Sequence, residues 1–139
     1  MIVIDASALV KLVLSEPDAV AARDAYRGGL QRRERMVVPY LALPEVLNTI
    51  WKYHTLRKEL SDVQFKQAVN DAVSIFRKLE KFPEQEVAEY ASAIAHRHKM
   101  SFYDAVYVAT SLAMNGTLLT FDKPLAVKAT EAGADVAKF

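Results

Sequence analysis

Three short runs in this chain are apolar or β-branched almost without interruption: MIVI at 1–4, MVVP at 36–39 and TLLTF at 117–121. A strand with one face in water alternates apolar and polar side chains. A run that does not alternate needs cover on both faces. Stretches with helical spacing separate these runs and are long enough to carry the chain back to the start of a parallel neighbour. The pattern predicts an α/β fold with three layers, α/β/α, around a central, mostly parallel sheet of four to five short strands. At 139 residues there is material for one such core, so a single domain over 1–139 is expected.

Local punctuation places the elements. The first helix is expected over Ala6–Leu14, with Leu9, Val10, Val13 and Leu14 on one side. Pro17 opens a second helix to about Arg27, where Gly28-Gly29 reads as a stop. A basic loop over Gln31–Arg35 leads to MVVP. Pro44 starts a long helix through about Arg57, and Ser61-Asp62 opens another to about Lys78. Leu79–Phe82 reads as a short strand, Pro83-Glu84 opens a helix to about His98, and Ser101 caps a helix over Tyr103–Met114. Asn115-Gly116 is a turn signal before TLLTF. A helix over Lys123–Ala132, ended by Gly133, and a last strand within Asp135–Phe139 complete the reading.

Composition narrows the chemistry. Apolar residues at 52% and charged residues at 25% exclude a disordered chain. Eighteen Lys and Arg against seventeen Asp and Glu give a formal net charge of +1, which argues against a binder held to nucleic acid by bulk charge. The absence of cysteine excludes disulfides, zinc-thiolate sites and thiol catalysis. His96 and His98, two apart near a helix end, face away from each other and make a poor ligand pair. The first residues lack the basic start of an export signal. The uncharged stretch 105–121 contains Asn115-Gly116 and reads as helix, turn and strand, not as a membrane span. A cytoplasmic protein without membrane association is expected.

Open parallel sheets build their sites beyond the C-terminal ends of the strands. Asp5 directly follows MIVI and Asp122 directly follows TLLTF. Glu45 and Asp104 fall in the first turns of two helices, where a negative charge is favoured. Each acid has an ordinary alternative: Asp5 and Asp122 as helix N-caps, Glu45 as a partner of the helix dipole. Asp104 sits in the apolar setting SFYDAVYVAT, where an acid needs a partner. Two such charges about 5 Å apart repel by roughly 3 kcal/mol at an effective dielectric of 20. Four together call for protons or a cation, and an all-carboxylate set selects Mg²⁺ or Mn²⁺ over zinc. That chemistry suits hydrolysis of a phosphodiester.

The chain resembles the PIN domain family, and within it the small VapC-type toxin ribonucleases. The matching segments are VIDASALVKL at the start, PEVLN at Pro44–Asn48, YDAVYVATS at Tyr103–Ser111 and TLLTFDKPL at Thr117–Leu125, in that order along the whole chain. The resemblance implies that Asp5, Glu45, Asp104 and Asp122 are the family's acidic positions. Asp5 and Asp104 would be direct ligands of a Mg²⁺ or Mn²⁺ ion, Asp122 would complete the site, and Glu45 would place a second metal or the attacking water. Ser7 and Thr120 match nearby hydroxyl positions that can hydrogen-bond the carboxylates or a water; otherwise they are a helix cap and a strand residue. Asn48, one turn after Glu45, can orient that carboxylate. The resemblance further implies an endoribonuclease acting on RNA, a cognate antitoxin protein and a homodimer. A PIN nuclease of RNA processing and a non-catalytic interaction module on the same fold are the alternatives. A phospho-acceptor domain fits less well, because the second strand ends in Val38-Pro39 with no acid, and a dehalogenase-like phosphatase would need Asp-x-Asp where Asp5-Ala6-Ser7 stands.

RNA binding needs local positive charge even where the total is balanced. Arg32, Arg33 and Arg35 form the densest basic cluster, and Lys52, Arg57 and Lys58 a second, although a charge run of this kind is usually just solvated surface. Tyr40, Trp51 and Tyr53 are candidates for stacking on bases or for packing between helices. Leu9, Leu12 and Val13 beside Val46 and Ile50 form either an apolar groove for an antitoxin or ordinary core.

Overall fold

The computed structural model describes residues 1–138. Its five strands are β1 (Ile2–Ile4), β2 (Met36–Pro39), β3 (Glu80–Phe82), β4 (Thr117–Leu119) and β5 (Asp135–Val136). They form one sheet in the order β3-β2-β1-β4-β5, every neighbouring pair parallel. Val3, Ile4, Val37, Val38, Leu118 and Leu119 are buried, as the non-alternating runs require. The register pairs Ile2 with Met36 on one side and with Thr117 on the other. Of the last expected strand only Asp135–Val136 is paired, and Phe139 lies outside the described residues.

Among the described residues seven α-helices flank the sheet: α1 (Ala6–Val13), α2 (Ala19–Gln31), α3 (Ala42–Trp51), α4 (Asp62–Lys78), α5 (Ala88–His98), α6 (Phe102–Ala113) and α7 (Lys123–Glu131). Helices α1, α3 and α4 pack on one another, and α5 packs on α6. Helix α6 lies against β1, β2 and β4, and every residue from Ala105 to Ser111 is buried. Among the described residues no helix is long and apolar enough to cross a membrane. The uncharged stretch 105–121 is divided between α6, a turn with Asn115 in the left-handed region at φ 50°, and β4.

Three local expectations are corrected. Gly28-Gly29 does not stop the second helix, which begins at Ala19 and runs through both glycines to Gln31. A Cβ on Gly29 would stand 2.4 Å from Met36 Cε and 3.0 Å from Ile2 Cδ1. The glycine therefore serves close approach of α2 to β1 and β2, not termination. The helix expected from Pro44 starts at Ala42 and ends as α-helix at Trp51, continuing as a π-helical turn over Lys52–Leu56. The stretch after Pro83 begins as a 3₁₀ turn, Glu84–Val87, before α5. By contrast, α4 starts on a full capping box between Ser61 and Gln64, as its sequence suggests.

The groove considered along α1 is core. Leu9, Val46 and Ile50 are buried, and Ala72, Ile75 and Phe76 of α4 close over Leu9, Val13 and Val46.

The chain winds outward from β1 to β2 and β3, then returns to place β4 on the other side of β1. The connections leaving β1 and β4 diverge, which opens a crevice at the C-terminal ends of these two central strands.

Candidate active site

The four acids reach that crevice from four different elements. Asp5 follows β1 directly, Asp122 stands three residues beyond β4, and Glu45 and Asp104 occupy the first turns of α3 and α6. All four line one cleft of about 390 Å³. Capping and clustering are not alternatives here. Asp5 Oδ1 accepts from the Ala8 amide at 2.8 Å and Asp122 Oδ1 from the Leu125 amide at 2.9 Å, so each caps its helix while facing the cleft.

Two hydroxyls tie the loop after β4 to Asp5. The Phe121 amide donates to Ser7 Oγ at 2.9 Å, and Ser7 donates to Asp5 Oδ1 at 2.7 Å and Oδ2 at 2.9 Å. The Asp122 amide donates to Thr120 Oγ1 at 3.1 Å, and Thr120 donates to Asp5 Oδ2 at 2.5 Å. Each hydroxyl accepts from the main chain and passes its own proton toward the carboxylate, so both point the same way along the relay. Asp5 and Thr120 are almost fully buried.

Burial dominates the protonation of these acids. It pushes Asp5 up from 3.8 to about 6, against the lowering effect of bonds from Thr120, Ala8 and Ser7, with the Asp122 charge adding to the rise. Glu45 is pushed up to about 7 by burial and then by the charges of Asp104 and Asp5, against a weak opposing bond from Tyr107. Asp104 is raised by burial first; a bond to Ser101 lowers it, the Asp122 charge raises it and Lys128 lowers it. Asp5, Glu45 and Asp104 thus each feel the charge of at least one other acid of the set.

Among the described residues, no three acidic, histidine or cysteine side chains are gathered into a ready-made metal-ligand group. The four acids share the cleft without closing into a shell. Their donor chemistry still fits a hard divalent cation: carboxylate oxygens only, partly buried, and mutually repelling unless protonated or neutralised.

Residues outside the acid set complete the walls. Tyr107, one turn after Asp104 on buried α6, donates to Glu45 Oε1 at 3.4 Å. Its spacing of three from Asp104 was the available signal, masked by its place in an apolar helix. Asn48 is exposed and lines a neighbouring cleft with Glu45 and Asp104, and it is Tyr107 that bonds the Glu45 carboxylate. Lys11 also lines the acid cleft, but its ammonium is held by Glu16 at 3.3 Å and by the Pro17 carbonyl at 2.7 Å. Tyr53 donates to the same Glu16 carboxylate, which gives this ring a packing and hydrogen-bonding role.

The structure does not bring the sequence's arginine candidates to the acids. Arg32, Arg33 and Arg35 precede β2 and lie at the opposite edge of the sheet, where the Ile2 amide bonds the Arg35 carbonyl at 2.8 Å. Arg32 bonds Glu34 at 2.6 Å, and Arg35 pairs with Glu80 on the edge strand. Arg57 pairs with Glu59 at 3.0 Å and stacks 4.1 Å from the centre of the Tyr53 ring. His54, near Lys52 and Arg57, bonds Asp62 at 2.7 Å.

Comparison with known proteins adds to this geometry. Residues 2–130 match the family model of the PIN domain. The chain is 32% identical over 127 residues to a protein named ribonuclease VapC3 from Pyrobaculum aerophilum, spanning 91% of this chain and 93% of that relative. Among solved structures, the fold resembles Mycobacterium tuberculosis VapC20, described as a sarcin-ricin-loop-cleaving toxin, with TM-score 0.69, 17% identity and 96% of each chain covered. It also resembles a chain of the VapBC2 complex of Rickettsia felis, bound to a DNA fragment from its promoter, with TM-score 0.68, 14% identity, and 100% and 99% coverage.

Proposed function

The chain belongs to the PIN domain family, and on that premise we propose that it is an endoribonuclease that hydrolyses RNA phosphodiester bonds with Mg²⁺ or Mn²⁺ and serves as the toxin of a toxin–antitoxin pair. The observation that carries this reading is the cleft at the β1–β4 switch point into which Asp5, Glu45, Asp104 and Asp122 all open. The 32% identity to a ribonuclease over nearly the whole chain supports the reaction class, and the likeness to toxin and VapBC structures supports the toxin role.

In this reading Asp5, Asp104 and Asp122 hold the cation, with Glu45 beside them. The cation supplies charge neutralisation at a phosphoryl oxygen and a more acidic water. The chain's own residues do the rest. Ser7 and Thr120 hold the Asp5 carboxylate in one orientation. Glu45, whose carboxyl stands raised to about 7 in the metal-free site, would take a proton from a water. Tyr107, whose own hydroxyl is kept protonated by burial, donates to Glu45 and limits its position. RNA is the substrate, a cognate antitoxin the partner, and a homodimer the working form, each carried over from the family resemblance. The cytoplasm is the compartment that fits an RNA substrate.

Purified protein tested on RNA with Mg²⁺ or Mn²⁺ checks the proposal. Asp5→Asn and Asp104→Asn are expected to abolish cleavage while far-ultraviolet circular dichroism stays native. Cleavage that survives both changes, or that ignores EDTA, would sink it.

A further inference from the structure

A second cleft, of about 760 Å³, adjoins the first and shares Glu45 and Asp104 with it. Two tyrosines line it from different elements: Tyr40, just after β2, and Tyr103, in the first turn of α6. They are 53% and 60% exposed, although each is anchored to ordered backbone. The Tyr40 amide donates to the Phe82 carbonyl at 3.3 Å and to Glu84 Oε2 at 3.1 Å. Tyr103 follows the Ser101 cap, and the Phe102 ring meets it edge-on at 6.2 Å. A single exposed tyrosine needs no account. Two along one cleft, beside two of the four proposed catalytic acids, do.

We propose that this cleft is the subsite for an unpaired nucleobase next to the scissile phosphate, stacked on Tyr40 and Tyr103 and read at its edge by Asn48 and Glu84. The inference rests on the ribonuclease reading above and specifies how that site would hold its substrate. The volume lies in the range of small-ligand clefts and has room for a nucleoside. Among the described residues no basic side chain lines the cleft, which leaves the phosphate to the cation proposed beside Asp104 and makes the uncharged base the part that enters here. Stacking on tyrosine is open to any base. The acceptors are not neutral in this respect: a carboxylate accepts from an exocyclic amino group, and a side-chain amide pairs with adenine. Amino-bearing bases, adenine above all, are therefore favoured over uracil.

The test measures fluorescence anisotropy of short labelled single-stranded RNAs on the wild-type protein in calcium, with cleavage kinetics run in parallel in Mg²⁺ or Mn²⁺. The RNAs are oligo-A, oligo-C, oligo-U and an oligo-A series with one base removed at each position in turn. Oligo-A is expected to bind more tightly than oligo-U. One abasic position next to the cut should weaken binding by about tenfold. Tyr40→Leu or Tyr103→Leu should give a similar loss and raise KM with kcat little changed, while Tyr40→Phe stays close to wild type. On each leucine variant the abasic position should cost less than on wild type, since part of what the base touches is already gone. If wild type cleaves RNA while the leucine variants match it and no abasic position matters, this inference fails and the ribonuclease reading stands. If the variants lose self-association or antitoxin binding with RNA affinity unchanged, the cleft is a protein surface and the inference is again overturned. If wild type neither binds nor cleaves RNA, both readings fall.

Discussion

Thr120 donates a 2.5 Å hydrogen bond to Asp5 across 115 residues of sequence, and the same Thr120 oxygen accepts from the Asp122 amide. One hydroxyl thus joins the ends of the two central strands and orients a buried acid. Thr120→Val keeps the β-branched shape and removes the donor. Asp5 then loses the largest of the bonds that hold its protonation down. The expected result is a loss of about 1.5–3 kcal/mol in urea unfolding at pH 8, where Asp5 is ionised, and a smaller loss at pH 5. An equal loss at both pH values would mean that the bond does not serve the charged form.

Raised acids make the metal-free protein sensitive to alkali. Asp5 has an ordinary value of 3.8 and stands at about 6 in the fold; Glu45 goes from 4.5 to about 7. The folded state binds these protons more tightly than the unfolded chain. Their contribution to stability is therefore complete below about pH 4 and is lost as pH rises through 6 and 7. Melting temperature without divalent ions should fall from pH 5 to pH 8. Adding Mg²⁺ or Mn²⁺ should raise it at pH 8 and hardly at all at pH 5, where protons occupy the same oxygens. Thermal melts in chelator and in added metal measure both limbs, and a metal effect larger at pH 5 would contradict the assignment.

How far the sequence discloses this architecture depends on the range of the rule involved. The parallel sheet is legible because MIVI, MVVP and TLLTF do not alternate, a signal contained within each run. Asp5, Asp122, Glu45 and Asp104 stand out because strand ends and helix first turns are local features. Ser7 bonds Asp5 only two residues away, but the bonds from the Phe121 amide to Ser7 and from Thr120 to Asp5 are not local, since they depend on β4 lying beside β1. Asn48 shows the limit of helical spacing: it is one turn from Glu45, yet Tyr107 from another helix meets that carboxylate. Gly28-Gly29 shows the other limit, because a glycine needed for close packing looks the same in sequence as one that ends a helix.

The two glycines should therefore respond differently. Both are inside α2, where alanine is favoured over glycine by about 0.5–1 kcal/mol. At Gly28 the nearest atom to an added Cβ is Arg32 Nη1 at 3.0 Å, the end of an exposed side chain that can move. Gly28→Ala should stabilise the protein by about that amount. At Gly29 the added Cβ meets Met36 and Ile2, whose shift disturbs the packing of α2 on the sheet. That cost offsets the helical gain, so Gly29→Ala should be neutral or destabilising. Chemical denaturation of the two variants decides it; a Gly29→Ala gain equal to that of Gly28→Ala would show that the close approach is not constrained.

Tyr107→Phe isolates the proton chemistry of Glu45. The change removes one hydroxyl from a buried ring and leaves the ring volume in place. Among the described residues, the Tyr107 bond is the one hydrogen bond holding Glu45 down against burial and the charges of Asp104 and Asp5. Without it Glu45 rises further, so a larger share is protonated at a given pH below neutrality. If Glu45 acts as the base, the acid limb of the kcat/KM profile should move to higher pH. The rate at pH 6 should then drop by about fivefold, while the rate at pH 8.5 stays near wild type. A drop of equal size at both pH values would instead indicate that Tyr107 holds Glu45 in position without tuning its proton.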